Sequence, residues 1–329
     1  MGRVGAAQGA HDRDARGCGV AASFRSGGRR PRDRGVHPCR RVLSRLMHGY
    51  SPPLGRRLLR SVARTFVRVS RLTGGSLWAN EVLQAAEPTA TVRFDGRDWK
   101  FRTGNGRLLW HVRSFLEEEP LMLRWISSMR PDDVVLDIGA NVGKFAVAIA
   151  GRAKCVYACE LDPLNVGLIH ENAVLNGVQD RVVVLPIACG AADGVVDVHF
   201  RDLSAGDALQ SIGRRQPIPT RYGSRPHISP VLSLSLDELW DRSQLPRPTK
   251  IKIDVDGNER TVLAGARRLC ESAHEIYYED TQLADSQQVL AELLALGFDE
   301  VDRASLGLST SPGAAGVNGY NRLLRRRDS

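Results

Sequence analysis

Three clusters along this chain combine residue types and spacing that carry chemistry. The first is Val134-Val135-Leu136-Asp137-Ile138-Gly139-Ala140-Asn141-Val142-Gly143. An apolar run broken at Gly139 predicts a buried strand ending in a tight turn, and Gly143 lets the backbone approach a ligand as a helix begins. The Gly-x-Gly-x-x-Gly pattern of a dinucleotide site is not met. Asp137 precedes the first glycine and Asn141 replaces the next. An acid there is unsuited to a pyrophosphate and suited to the ammonium, amino-acid end of S-adenosylmethionine. Asp137, Gly139, Asn141 and Gly143 are therefore expected at a cofactor site.

The second cluster is Glu160 with Leu161, just past the apolar run Cys155–Cys159. A carboxylate at that strand end can accept both ribose hydroxyl hydrogens of a nucleoside, with Leu161 against the adenine face. Enzymes that use NAD place an acid similarly, so Glu160 alone does not discriminate. The plain alternative is a solvated acid at a helix start.

The third cluster is Lys250-Ile251-Lys252-Ile253-Asp254-Val255-Asp256-Gly257-Asn258-Glu259. In an extended run Lys252, Asp254 and Asp256 share one side, and charges on a buried strand are costly unless they emerge into a crevice. Asp256 and Glu259 have a structural explanation as a helix-capping pair. Asp254 does not, and is the first candidate for a substrate-orienting or proton-accepting carboxylate. Glu279, at the end of the next predicted strand, is the second catalytic candidate. His199 and His227, isolated in or beside a loop, are read as solvated.

For these clusters to meet, strands and helices must alternate. Predicted strands are Val134–Ile138, Cys155–Cys159, Val182–Ile187, Ile251–Val255 and Glu275–Tyr278, with a closing pair at Phe298–Asp302 and Tyr320–Leu324. Helical stretches fall near Lys144–Ala150, Leu164–Leu175, Glu259–Leu269 and Ser286–Leu296. Strands this apolar, separated by helices, indicate an α/β fold: a doubly wound, mostly parallel seven-stranded sheet, Rossmann-like, covered on both faces. Gly194–Phe200 is an extra strand, and Arg201–Pro230, with Pro217, Pro219, Pro226 and Pro230, is a polar loop insertion of the kind that forms lids.

Upstream, Thr91–Phe94 and Trp99–Arg102 form a hairpin through Asp95-Gly96, followed by helices over Arg107–Glu119 and Pro120–Met129. The expected organisation is a disordered basic segment over 1–45, a helical and hairpin extension over 46–130, and the catalytic domain over 131–329. Arg56–Leu72 is a basic amphipathic helix, expected to pack on the main domain rather than make peripheral membrane contact.

Residues 1–75 hold 17 Arg, no Lys and 3 acids, a net of +14, so the other 254 residues, with 29 basic and 34 acidic groups, carry −5. The basic excess thus lies outside the catalytic part, and no nucleic-acid partner is expected. Disorder, or a true start near Met47, explains the Arg/Gly-rich segment better than an RNA-binding arm, because no aromatics interleave. The six cysteines show no Cys-x-x-Cys pair, so no metal is expected, and a reducing, cytoplasmic setting fits. There is no apolar run of the length that spans a bilayer.

The blocks Leu136–Gly143, Glu171-Asn172-Ala173-Val174-Leu175-Asn176-Gly177, Ser235-Leu236-Asp237-Glu238-Leu239 and Ile251–Glu259 resemble, in order and spacing, the FkbM family of methyltransferases. The likeness runs from about Asp133 to Leu324, with Asp256-Gly257 where the family usually has Glu-Gly. It implies the class I methyltransferase fold and S-adenosyl-L-methionine as cofactor. It further implies O-methylation of a small-molecule hydroxyl on a sugar, polyketide or lipid-linked acceptor, by in-line transfer beside a base. The competing readings are a nucleotide-sugar or NAD-dependent oxidoreductase on a similar sheet, and a non-catalytic methyltransferase-like binding protein.

Overall fold

The computed structural model describes residues 88–117, 119–208, 210–213, 226–280, 284–308 and 320–327, together with five isolated residues between 61 and 68. The expected disordered segment over 1–45 lies outside them. The expected amphipathic helix over 56–72 is represented by Ser61, Val62, Arg64, Thr65 and Arg68, which are helical and exposed.

The chain enters on a hairpin, β1 (Thr89–Phe94) and β2 (Arg97–Arg102), antiparallel in register Phe94 to Arg97. Its turn places Asp95 and Gly96 at φ +56° and +75°, the left-handed pair that matches the twist of the flanking strands. Helix α1 (Gly106–Arg113) starts at Asn105, whose side chain accepts from the Arg107 and Leu108 amides. It is shorter than the expected Arg107–Glu119. Pro120 begins α2 (Pro120–Ser127) and disfavours helical backbone just before it.

Strands β3 (Val134–Ile138), β4 (Cys155–Cys159) and β5 (Val182–Leu185) then alternate with α3 (Lys144–Ala150) and α4 (Pro163–Leu175). β5 stops before Pro186, which lacks an amide for the ladder, so the expected strand to Ile187 is divided there. Past it come β6 (Ala188–Cys189), β7 (Gly194–Phe200), β8 (Ser211–Ile212) and β9 (His227–Leu234). The remaining elements are α5 (Leu236–Arg242), β10 (Lys250–Ile253), α6 (Glu259–Gly265), α7 (Arg267–Ser272), β11 (Glu275–Asp280), α8 (Ala284–Ala295), β12 (Phe298–Glu300) and β13 (Tyr320–Arg326).

The main sheet has seven strands in the order β12-β13-β11-β10-β3-β4-β5. β3, β4, β5, β10 and β11 pair in parallel, and β13 is antiparallel to both of its neighbours. This is the doubly wound class I methyltransferase arrangement. All five residues of β3 are buried, and Val135 and Leu136 point into opposite cores. One core joins the sheet to the hairpin, α1, α2, α3 and α4 through Trp99, Phe101, Phe115, Trp125 and Phe145. The other joins it to α5, α6 and α7 through Trp240, Val262, Leu263 and Leu269. The hairpin, α1 and α2 therefore share a core with the sheet.

A second sheet, in the order β6-β9-β7-β8, replaces part of the expected Arg201–Pro230 loop. Pro230 sits inside β9, opposite Asp197. It is tolerated because β6 pairs only with Ser233 and Leu234, leaving one side of the strand open at residue 230.

The expected single helix Glu259–Leu269 is broken at Ala266, which stands between α6 and α7. Gly265 is where α6 presses on the second sheet: a Cβ there would lie 1.8 Å from the Gly190 carbonyl oxygen. Gly265→Ala is expected to cost about 1–3 kcal/mol, since backbone must give way, measured as a shift in urea midpoint at constant slope.

Candidate functional site

From β3 the chain winds outward through β4 and β5, then returns to β10 on the other side of β3. Open α/β sheets bind ligands at the carboxyl ends of strands at such a reversal. There the β3 turn meets the end of β10 backbone to backbone. A Cβ at Gly139, φ +81°, would lie 1.8 Å from the Asp254 carbonyl oxygen, so no side chain fits. Asn141 takes φ +50°, a left-handed position that asparagine tolerates. Gly143, φ +74°, opens α3 against Ile169.

A cleft of about 580 Å³ opens over this turn. Its walls include Gly139, Asn141, Glu160, Leu161, Ile187, Asp254, Asp256 and Val262. Asp137 and Gly143 are not among its lining residues.

Glu160 is buried, and its two oxygens are oriented by backbone amides. Oε1 accepts from Leu161 and Asp162, at 2.9 and 2.8 Å, and Oε2 accepts from Asn141 at 2.8 Å. Oε2 therefore keeps a lone pair for one more donor. Burial raises the Glu160 carboxyl to about 7, against the three amides that favour its charged form. The Asn141 side chain turns away from Glu160 and donates to the Asp207 carbonyl at 3.0 Å.

Lys252 is the centre of the second half of the site. Its ammonium is 2% exposed and lies 3.0 Å from Asp137 Oδ1, 3.1 Å from Asp254 Oδ2 and 3.1 Å from the Gly139 carbonyl. One hydrogen bond to the Gly139 carbonyl and ion pairs with two carboxyl groups hold it. Burial alone would lower the Lys252 pKa, but Asp137 and Asp254 more than reverse this, and the ammonium is held well above its ordinary value. Asp137, expected at the cofactor's ammonium end, is instead a fully buried partner of Lys252, with burial raising its pKa. Strand direction explains the difference: Asp137 stands opposite Lys252 in the β3–β10 register.

The structure brings the two expected catalytic acids together. Glu279 hydrogen-bonds to Asp254 across the ends of β10 and β11. The charge of Asp254, then burial, raises Glu279 to about 10, so it keeps its proton and donates it to Asp254. Burial would raise Asp254 as well, but Lys252 and that hydrogen bond bring it below its ordinary value. A carboxylate that lines the cleft, Asp254, thus stands beside a protonated acid, Glu279. Asp256 lines the cleft at φ +55°, and the N-cap falls two residues later than expected. Asn258 is the N-cap without a side-chain bond, while Glu259 accepts from the Gly257 amide at 2.9 Å.

Glu119 was not expected here. It occupies the N-cap of α2 without capping it and instead accepts from Tyr277 Oη at 3.0 Å and Asn321 Nδ2 at 3.2 Å. Burial lifts its carboxyl to about 7. Glu119, the last of three consecutive glutamates before Pro120, is not singled out by the sequence, because its partners lie 158 and 202 residues away. Lys252, by contrast, was visible as a charge on a buried strand. Among the described residues no His, Cys, Asp or Glu group is arranged to hold a metal, and no helix is long and apolar enough to cross a membrane.

The domain family described as TRM5/TYW2 methyltransferase domain matches residues 99–197. The hexuronic acid methyltransferase AglP of Haloferax volcanii is 24% identical over 208 residues, covering 58% of this chain and 78% of that protein. The tRNA (guanine(37)-N(1))-methyltransferase of Leishmania major is 36% identical over 120 residues, covering 31% of this chain but only 17% of that protein. Among solved structures, methyltransferase FkbM from Methylobacillus flagellatus KT aligns with TM-score 0.40 at 14% identity, over 60% of this chain and 44% of that one. The chain carries a methyltransferase domain. The expectation of a small-molecule acceptor and no nucleic acid is overturned by the TRM5/TYW2 match and the tRNA-methylating relative. The charge count had tested only for a phosphate-gripping basic surface.

Lys252→Met leaves Asp137 and Asp254 buried without their cation, with an expected loss of about 3–5 kcal/mol at pH 7. In the variant both acids have folded pKa values above their unfolded ones, so its deficit narrows as pH falls from 7 toward 4. Urea unfolding of both proteins across that range checks the sign; a deficit that widens in acid refutes the assignment.

Proposed function

We propose that this protein is an S-adenosylmethionine-dependent methyltransferase of FkbM type that methylates a hydroxyl of a sugar, with a hexuronic acid within a glycan as first choice. The observation that carries this reading is Asp254: an ionised carboxylate at the cleft, held in place by Lys252 and by the proton of Glu279. The motif order from Leu136 to Glu259 and the likeness to AglP along most of that protein's length support the family and the acceptor class.

The cleft residues fit the cofactor. A Cβ at Gly139 would close the turn, Glu160 offers an oriented carboxylate, and Leu161, Ile187 and Val262 supply apolar walls. When bound, the cofactor supplies a methyl group already activated on a sulfonium. Glu160 accepts a hydroxyl hydrogen of the nucleoside sugar on Oε2. Asp254 orients the acceptor hydroxyl and takes up its proton. Glu279 donates to Asp254, fixing the carboxylate plane, and Asp137 acts only through Lys252. The second reading is a nucleic-acid acceptor. The TRM5/TYW2 match supports it, but that match ends at residue 197, before Lys252, Asp254 and Glu279.

Binding of S-adenosylhomocysteine, measured by calorimetry, is expected to weaken about tenfold from pH 8 to pH 6 as Glu160 takes up its proton. Glu160→Gln, whose amide must face at least one backbone N–H donor, is expected to bind about tenfold or more weakly and to lose that pH dependence. Absence of binding by the folded wild-type protein sinks the cofactor assignment.

Mass spectrometry of a uronic acid, a uronate-containing glycan and a tRNA transcript incubated with the donor tests the acceptor. O-methylation of the sugar is expected, and methylation of the transcript alone overturns that choice. Asp254→Asn is expected to lower kcat about 10²–10⁴-fold while the S-adenosylhomocysteine Kd stays within about threefold.

A further inference from the structure

Among the buried acidic groups that the mechanism leaves unused, Asp207 stands out by its partners. Asp207, between β7 and β8, has no exposed surface. Its Oδ1 lies 2.8 Å from Arg107 Nη1 and 3.2 Å from Arg201 Nε. Its carbonyl oxygen accepts from three side-chain amides: Asn141 at 3.0 Å, Asn165 at 3.2 Å and Gln210 at 3.2 Å.

The residues before it are held as firmly. The Gly206 amide donates to Asn165 Oδ1 at 2.7 Å, His111 Nε2 contacts the Gly206 carbonyl at 3.1 Å, and Asn105 Nδ2 donates to the Ala205 carbonyl at 3.0 Å. Gly206 is at φ +81°, and a Cβ there would meet Leu108 at 2.8 Å. Two of the residues tied to the Asp207 carbonyl, Asn141 and Gln210, line the cofactor cleft, as does Ile212 beyond them.

We propose that Asp207 is a positioning residue for cofactor binding: clamped by Arg107 and Arg201, it latches the segment Ser204–Asp207 onto α1 and α4 and thereby fixes Asn141 and Gln210 in the cleft wall. The inference rests on the reading of that cleft as the S-adenosylmethionine site. Asn141 links the two halves. Its side chain is held by the latch while its amide is held by Glu160, so loosening the latch releases the turn that orients Glu160.

The test uses full-length protein and Asp207→Asn, which keeps the shape and removes the charge that the two arginines grip. Hydrogen exchange is expected to quicken about tenfold at the 139–143 turn and around Gln210, with the sheet strands unchanged, and S-adenosylhomocysteine is expected to bind about fivefold or more weakly. Arg201→Gln is expected to act in the same direction and decides the matter alone if Asp207→Asn does not fold. Unchanged exchange at 139–143 overturns the proposal, as does an increase spread evenly over the fold, which marks a purely structural role. Failure of the wild-type protein to bind S-adenosylhomocysteine rejects the cofactor reading, whereas the exchange pattern judges the latch by itself.

Discussion

The site depends on one buried ammonium. A lysine in the middle of a parallel sheet is among the most costly groups to bury, and it is tolerated only when its charge and all three donors are satisfied. Lys252 is held by ion pairs with an acid of β3 and one at the end of β10, and by a hydrogen bond to the glycine turn. Each bond ties a different piece of the crevice to the same point. The Gly139 turn cannot drift from β10, because its carbonyl holds the ammonium while its missing Cβ lets the Asp254 backbone lie against it.

That arrangement also decides which acid is charged. Two carboxyl groups, Asp137 and Asp254, face one buried cation at this point, and Glu279 adjoins Asp254. They cannot all ionise, so the protons distribute by environment. Asp254 has the cation and a neighbouring acid to donate to it, and stays ionised below its ordinary value; Glu279 has the charge of Asp254 beside it and keeps its proton to about pH 10. Between the ordinary glutamate value and 10 the unfolded chain releases a proton that the folded site retains, so Glu279 costs stability as pH rises through that window. The site thus carries a destabilising proton in order to hold one carboxylate in place.

The sheet was legible because burial on both faces leaves near-continuous apolar runs, and the seven main strands lie within a few residues of where those runs predict them. The glycine turn was legible because backbone crowding restricts residue type directly. What failed to be legible was direction. Spacing brings Asp137 to the end of a strand but does not say that it faces Lys252 rather than the cleft; the β3–β10 register decides that. Pro230 looked like a loop residue because sequence does not show that β9 is open on one side there. Glu119 left no trace, since its role is made by β11 and β13 far along the chain.

The same division separates the two halves of the site. The stretch that matches the TRM5/TYW2 domain runs from β2 into β7 and contains the glycine turn and Glu160. Holding a common cofactor places similar demands on enzymes with different acceptors, so likeness there is compatible with a nucleic-acid acceptor as well as a sugar. Lys252, Asp254 and Glu279 lie beyond it, with the Asp207 segment and the second sheet between. A proton acceptor must suit the atom that loses the proton, and the walls around it must suit the rest of the acceptor. The proposed reading thus assigns acceptor choice to residues beyond 197, outside the stretch that matches the TRM5/TYW2 domain.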